Sequence, residues 1–178
     1  IIPRVALLKK IREHITTYAS VSCGFSPPTV SELLPSTAVL NTTLQPETGT
    51  DFEIGSRGDL FSHKLYYDIN GFIFNLTQSI SQRKDNSGAD YFVNAGGTLQ
   101  HGAEAYLSYL LAANSSSFVR SLRIWTSQTW SHFRYKQYKV VNADYSGRHL
   151  PGVAPYHAVT GLDISTARHI NAFFTWDY

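Results

Sequence analysis

Two neighbouring stretches decide the fold: Tyr156-His157-Ala158-Val159-Thr160-Gly161-Leu162-Asp163-Ile164, and then Ile170-Asn171-Ala172-Phe173-Phe174-Thr175-Trp176-Asp177-Tyr178. In the second, alternate residues read Ile170, Ala172, Phe174, Trp176, Tyr178 against Asn171, Phe173, Thr175, Asp177. In the first they read Tyr156, Ala158, Thr160, Leu162, Ile164 against His157, Val159, Gly161, Asp163. A period of two with one apolar face belongs to a β-strand, because successive side chains leave opposite sides of the pleat.

The same reading extends upstream. Residues 14–21 set Ile15, Thr17, Ala19 and Val21 against His14, Thr16, Tyr18 and Ser20. Residues 103–109 set Ala103, Ala105, Leu107 and Tyr109 against Glu104, Tyr106 and Ser108. Residues 3–9 and 46–56 are weaker strands, and 62–82 and 118–138 are long and aromatic-rich, with faces that blur around Phe72, Ile73 and Phe74. The pattern predicts an all-β chain of about eight strands.

The connections fall into two alternating classes. Short ones lie near 10–13, 57–61, 112–117 and 165–168; long ones near 24–45, 82–90 and 139–152 hold most of the Pro, Gly, Ser and Asn. In an up-and-down antiparallel sheet this puts every short turn at one end and every long loop at the other, the asymmetry of a transmembrane β-barrel. Tyr and Trp near strand ends (Trp130 to Tyr135, Tyr156, Trp176 with Tyr178) suit an interfacial girdle. A soluble sandwich, with the apolar faces as its core, is the alternative left by pattern alone.

Of the 178 residues 43% are hydrophobic, 13% aromatic and only 16% charged, which excludes intrinsic disorder. A net charge of +2 leaves no electrostatic footprint for nucleic acid. The lone cysteine, Cys23, permits neither an internal disulfide nor a cysteine-based zinc site. The chain opens on Ile1 and contains no Met, so residues 1–178 are expected to be an excerpt of a longer polypeptide.

Pro3 to Leu7 with Tyr18 to Pro28, Leu44 to Gly55, Tyr91 to Gly96 with Gly102 to Glu104, and Leu150 to Pro155 are four segments that together resemble the C-terminal half of a TonB-dependent outer-membrane receptor. They run in family order over nearly the whole chain. Cys23 stands where the family usually carries Arg. The resemblance implies a partial β-barrel domain, eight of about 22 strands around a plugged lumen, lacking plug, TonB box and early strands and truncated at both ends. It also implies the outer membrane of a Gram-negative bacterium, and import of a ferric siderophore or similar scarce nutrient with energy supplied by the TonB complex. The partners would be that complex, a ferric chelate and outer-membrane lipid. Two alternatives stay open: a complete small eight-stranded barrel acting as anchor or adhesin, and a soluble all-β binding module.

Nothing in the residue pattern points to an enzyme. The seven histidines (His14, His63, His101, His132, His149, His157, His169) show no helical metal spacing and read as solvated lumen or turn residues. No Gly-x-Ser-x-Gly elbow occurs, and Gly96-Gly97 precedes no phosphate-binding helix, so no catalytic, metal or cofactor site is expected. Asn-x-Ser/Thr triplets at Asn41, Asn75 and Asn114 read as chance matches. A polar set (Glu53, Glu104, Arg123, His157, Asp163, Asp177) is expected to face the lumen. A cationic, aromatic rim of Tyr135, Lys136, Tyr138, Lys139, Arg148 and His149 is the candidate ligand surface. Arg at Leu162 or Ala105 is expected to cost about 2–4 kcal/mol if either lies near mid-membrane, and much less at Ser108.

Overall fold

The computed structural model describes residues 2–36, 39–114, 116–140 and 143–178. Ile1, and Ser115 of the Asn114 triplet, lie outside the described residues. The elements are β1 (Arg4–Arg12), β2 (Ile15–Ser26), α1 (Val30–Leu33), β3 (Glu47–Leu60), β4 (Leu65–Thr77), β5 (Ile80–Lys84), β6 (Asp90–Asn94), β7 (Gly97–Ala113), β8 (Val119–Gln137), β9 (Lys139–Val140), β10 (Ala143–Asp144), β11 (Tyr156–Thr166) and β12 (Asn171–Asp177). Eight of them form one antiparallel sheet in the order β1-β2-β3-β4-β7-β8-β11-β12, each next to its neighbour in sequence apart from two small hairpins, β5–β6 and β9–β10. β1 and β12 are its two edges, so the sheet is an open wall. The small closed barrel, which needs β1 paired with β12, is not what these residues form.

Directly paired residues share a face, so the register sorts every side chain. One face carries Val5 and Leu7, Ala19 and Val21, Phe52 and Ile54, Ile69 and Ile73, Leu107 and Tyr109, Ile124 and Trp130, Leu162, Phe174 and Trp176. The opposite face carries all six of Glu53, Glu104, Arg123, His157, Asp163 and Asp177. The large apolar residues are exposed, Leu7 at 73% and Ile54 at 67%, while Leu44 and Ala95 are the buried apolar residues among those described. A soluble sandwich buries its apolar face against a second layer. Here the apolar face lies uncovered.

That face is inclined to the strands. The row of partners starting at Ile54, central in the apolar stretch of β3, runs through Gly71 and Ala103 to Trp130 and Tyr156. Those two residues sit at one end of the apolar stretches of β8 and β11, which centre near Ile124 and Leu162. An apolar band that slides along the register from strand to strand is the signature of strands tilted to it, the stagger that barrel closure requires.

On the polar face, aromatic rings lie over glycines in the neighbouring strand. Tyr18 covers Gly55, and the Trp125 indole covers its direct partner Gly161 so closely that any Cβ there would collide with the ring. A flat ring fills the space over a residue without a side chain and pins the register. Trp125 Nε1 also donates to Asp163 Oδ1 at 3.2 Å, and its ring stacks on Tyr106 at 6.2 Å.

Four expectations need correction. The short connection expected near 57–61 is in fact a turn at 61–64. Gly58 continues β3, and Phe61, Ser62 and His63 make the turn with positive φ although none is glycine. β4 therefore begins and ends inside the expected 62–82. Tyr91 to Gly96 does not continue into Gly102 to Glu104: β6 pairs with β5, and Gly96, at φ 85° against the Gln137 carbonyl, breaks the chain before β7. Ser108 is not an open lumenal position. It is 3% exposed, flanked by Tyr66 and Trp125, and accepts from Arg123 Nη1 at 3.1 Å, so Arg would not fit there cheaply. Last, His101 and His132 are not lumenal or turn residues, since both lie on the apolar face.

Candidate functional site

The short turns gather at one end of the wall and the three long connections at the other. The long connections hold one another. In the segment between β2 and β3, a Thr29–Glu32 capping box closes α1. From there Asn41 Nδ2 donates to the Phe92 carbonyl at 2.8 Å, and Gln45 and Asn94 exchange two hydrogen bonds of 2.8 Å. The β5–β6 hairpin then reaches the next connection through Arg83 Nη2, which donates to the Lys139 carbonyl at 2.5 Å. Loops tied in this way to a rigid sheet are suited to hold binding groups in fixed places.

The tip of the β5–β6 hairpin has a titratable lock. Asp85 Oδ1 accepts from Ser87 N, Ser87 Oγ and Ala89 N at 2.8, 2.7 and 3.0 Å. The Ser87 hydroxyl above all, with the backbone N–H groups, favours the charged form and holds the carboxyl below its ordinary value. A depressed folded-state pKa adds stability that is complete above the unfolded value and is lost as pH falls through the folded one. Amide exchange at Ser87 and Ala89 should therefore stay slow through the mildly acid range and accelerate only below the ordinary carboxylate range. In Asp85→Asn it should be fast throughout, as exchange followed by mass spectrometry would show.

The six candidate ligand residues divide into two groups. Tyr135 and Tyr138 stack at 4.6 Å with planes 13° apart, Tyr145 follows at 6.0 Å, and the Arg148 guanidinium lies 5.6 Å from the Tyr145 ring centre. The β9–β10 hairpin builds this stack: Tyr145 N donates to the Tyr138 carbonyl, and Lys139 pairs with Asp144 at 3.7 Å. Lys136 and His149 are elsewhere. Lys136 Nζ donates to Asn75 Oδ1 at 3.0 Å, and His149 Nε2 lies 3.4 Å from Arg134 Nη2, both on the apolar side of the sheet. Tyr145, Arg83 and Arg134 belong to these groups and were not singled out in the sequence. Tyr145 lies in the very loop whose flanks were picked, whereas the role of Arg83 depends on a contact between loops that no local pattern reports.

The polar face is a network. Tyr18 donates to Glu53 Oε1 at 2.7 Å, Asn70 to Glu104 Oε2 at 3.1 Å, and His157 lies 2.8 Å from Asp177. An open hollow of about 400 Å³ lies among Tyr18, Asp68, Asn70, Glu104 and Thr129. No group of three or more His, Cys, Asp or Glu is placed to hold a metal ion among the described residues.

Comparison with known proteins places this wall. The family model described as "TonB dependent receptor-like, beta-barrel" matches residues 1–177. The chain belongs to the TonB-dependent receptor β-barrel family. Solved structures agree in fold. The copper transporter OprC superposes with a TM-score of 0.73 at 20% identity, covering 98% of this chain and 25% of that one. The FrpB iron transporter from Neisseria meningitidis gives 0.69 at 17%, covering 99% and 26%. The siderophore receptor PirA from Pseudomonas aeruginosa gives 0.65 at 14%, covering 99% and 34%. Among curated protein sequences none matches the chain. The receptor segment thus spans about a quarter to a third of the chains it resembles. With the family settled, the apolar face is the outer, lipid-facing side of a barrel wall and the polar face lines the lumen.

Proposed function

We propose that this segment is the wall of an outer-membrane receptor of a Gram-negative bacterium, importing a ferric siderophore or similar scarce nutrient with energy delivered by the TonB complex through a plug domain. The observation that carries the reading is the division of labour across eight strands: an apolar outer band, a hydrated polar lining, and tied loops at one end only. The wall does no covalent chemistry. It holds the lumen open and carries the loops that take the ligand. Fold relatives that include a copper transporter, an iron transporter and a pyoverdine receptor support a scarce metal or its chelate as cargo.

Within the loops, Tyr135, Tyr138, Tyr145 and Arg148, with Lys139 beside them, are the proposed ligand platform. Stacked phenol faces and a guanidinium attract a planar, electron-rich, anionic chelate by dispersion and charge. The test is uptake and binding of radiolabelled ferric chelates by cells expressing the full-length receptor. Tyr138→Ala should weaken binding of the transported chelate by about tenfold, the loss of one aromatic stacking partner. Unchanged affinity in a correctly inserted variant would remove the platform from the account.

A further inference from the structure

On the outer face, at the long-loop end, the register brings basic groups from two strands and a loop together. His101 and His132 are direct partners on β7 and β8, their rings 4.7 Å apart. His149 closes on His132 at 5.1 Å and on Arg134, and Lys136 reaches the same face beside Asn75. Among the described residues of the eight long strands, no acid shares their face. The carboxylates of the eight long strands, Asp51, Glu53, Asp59, Asp68, Glu104, Asp163 and Asp177 among them, all fall on the lumenal side of the register. Arg134 is partly satisfied: Nη1 donates to the Gly147 carbonyl at 3.3 Å, while Nε is buried with no partner among the described residues. The Nη groups keep N–H donors beyond the one given to that carbonyl, and an anion oxygen is the acceptor that they take best.

Directly below this cluster, one register row toward the short turns, the surface becomes apolar and concave. Ala19, Gly71 and Ala103 form the floor of an open groove of about 950 Å³, and Leu7, Ile54 and Trp130 rise beside it. Gly71 and Ala103, small and adjacent in one row between Ile54 and Trp130, leave a recess between those two large side chains. Trp130, Tyr156 and Tyr178 lie side by side at its far flank, with ring centres 5.6 and 6.0 Å apart. From the loops downward the outer face thus passes from basic side chains to the apolar groove, with the Trp130, Tyr156 and Tyr178 rings at the groove's far flank.

We propose that this outer surface binds a phosphorylated acyl lipid of the surrounding leaflet. The phosphate sits among Arg134, Lys136 and the His101 and His132 imidazoles, and an acyl chain lies in the groove along Ala103 and Gly71. The inference rests on the outer-membrane barrel reading, because only there does this face meet lipid. It goes beyond that reading in naming one specific lipid site on the wall. Charge complementarity selects an anion, and the apolar groove in the adjoining register row selects an amphiphile over a free ion. A peptide or protein partner would need its own backbone satisfied against a face whose ladder is already paired.

The experiment uses the full-length receptor, purified in a nonionic detergent and examined by native mass spectrometry. Dipalmitoyl phosphatidic acid, dipalmitoylglycerol and inorganic phosphate are titrated separately and in competition. Phosphatidic acid should bind about tenfold more tightly than dipalmitoylglycerol, the effect of charge-assisted hydrogen bonds to one headgroup. Arg134→Gln and His132→Gln should each lower that preference, and millimolar-range phosphate alone should not displace the lipid. Equal binding of the two lipids would overturn the proposal, and so would displacement by inorganic phosphate at the concentration at which the lipid binds. Because Arg134 also steadies the loop at Gly147, Lys136→Gln is measured beside it, with folding read from heat-modifiable gel mobility. A preference kept in folded Lys136→Gln and His132→Gln would likewise refute the site. Recovery of the receptor in the outer-membrane fraction is scored independently, so failure of the barrel reading is seen apart from failure of the lipid site.

Discussion

Leu107→Arg in the full-length receptor should lower the free energy of folding into a bilayer by about 2–4 kcal/mol, the cost of a cation at mid-membrane on a lipid-facing strand. Leu107 is the residue to choose because the register puts it midway between the Trp130 row and the Ile164 row on the outer face, opposite Tyr67 and Thr126. It is 40% exposed, so its side chain reaches the surface of the outer face. Leu162→Arg, nearer the short-turn end, should cost the same or somewhat less, since the penalty falls toward the interface. The control is Thr129→Arg. Thr129 is the direct partner of Glu104 on the lumenal face and borders the open hollow, so a new guanidinium there has water and a carboxylate to meet. It should cost less than about 1 kcal/mol, as a solvated surface substitution does. Denaturant titration of refolded receptor in vesicles measures both. Equal costs at Leu107 and Thr129 would show that the two faces are wrongly assigned.

The second large effect lies on the lumenal face. Gly161→Val should destabilise the receptor by about 1–3 kcal/mol, because the new side chain occupies the place of the Trp125 ring and overpacking forces the ring out. Trp125→Ala should be costly for the opposite reason, about 2–3 kcal/mol, somewhat below the range for a fully enclosed aromatic. The ring is half-buried, yet it stacks on Tyr106 and holds Asp163. The two changes should not add. In the double variant the valine finds the space that the indole has left, and the coupling energy should be favourable by about 1 kcal/mol or more. Simple additivity would mean that Trp125 does not lie on Gly161, and the register of β8 against β11 would need revision.

The fold was legible in the sequence to the extent that period-two alternation survived in each strand. It is cleanest in β11 and β12, where apolar and polar residues alternate with few exceptions, and both strands formed as expected. In β4 the run Phe72-Ile73-Phe74 hides the alternation because aromatics on the lumenal face serve a local purpose: Phe72 lies over Gly102 and packs edge-on against Phe133. Those rings read as outer-face residues to any rule that equates apolar with lipid. The β3–β4 turn was misplaced for the converse reason. Gly58 signals a turn yet extends a strand, and the residues that do turn, Phe61 to His63, carry no turn signature. Of the candidate ligand residues, Tyr135, Tyr138 and Arg148 come together in one stack, since all lie in or beside one hairpin. Lys136 diverges from them because it follows Tyr135 on the same strand and so leaves the opposite face of the pleat, and His149 because its bridge to Arg134 sets it on that face.

Three tryptophans allow the central claim, that the apolar face meets lipid and the polar face does not, to be tested directly. Trp130 and Trp176 lie on the outer face, 43% and 59% exposed, and Trp125 lies on the lumenal face beneath Tyr106. The full-length receptor is reconstituted in phosphatidylcholine vesicles with brominated acyl chains, and each tryptophan is replaced by Phe in turn. The emission lost in Trp130→Phe and in Trp176→Phe should be emission that the brominated lipid quenches, and that lost in Trp125→Phe should not. A lipid-quenched Trp125, or a Trp130 and Trp176 untouched by bromine, would contradict the account.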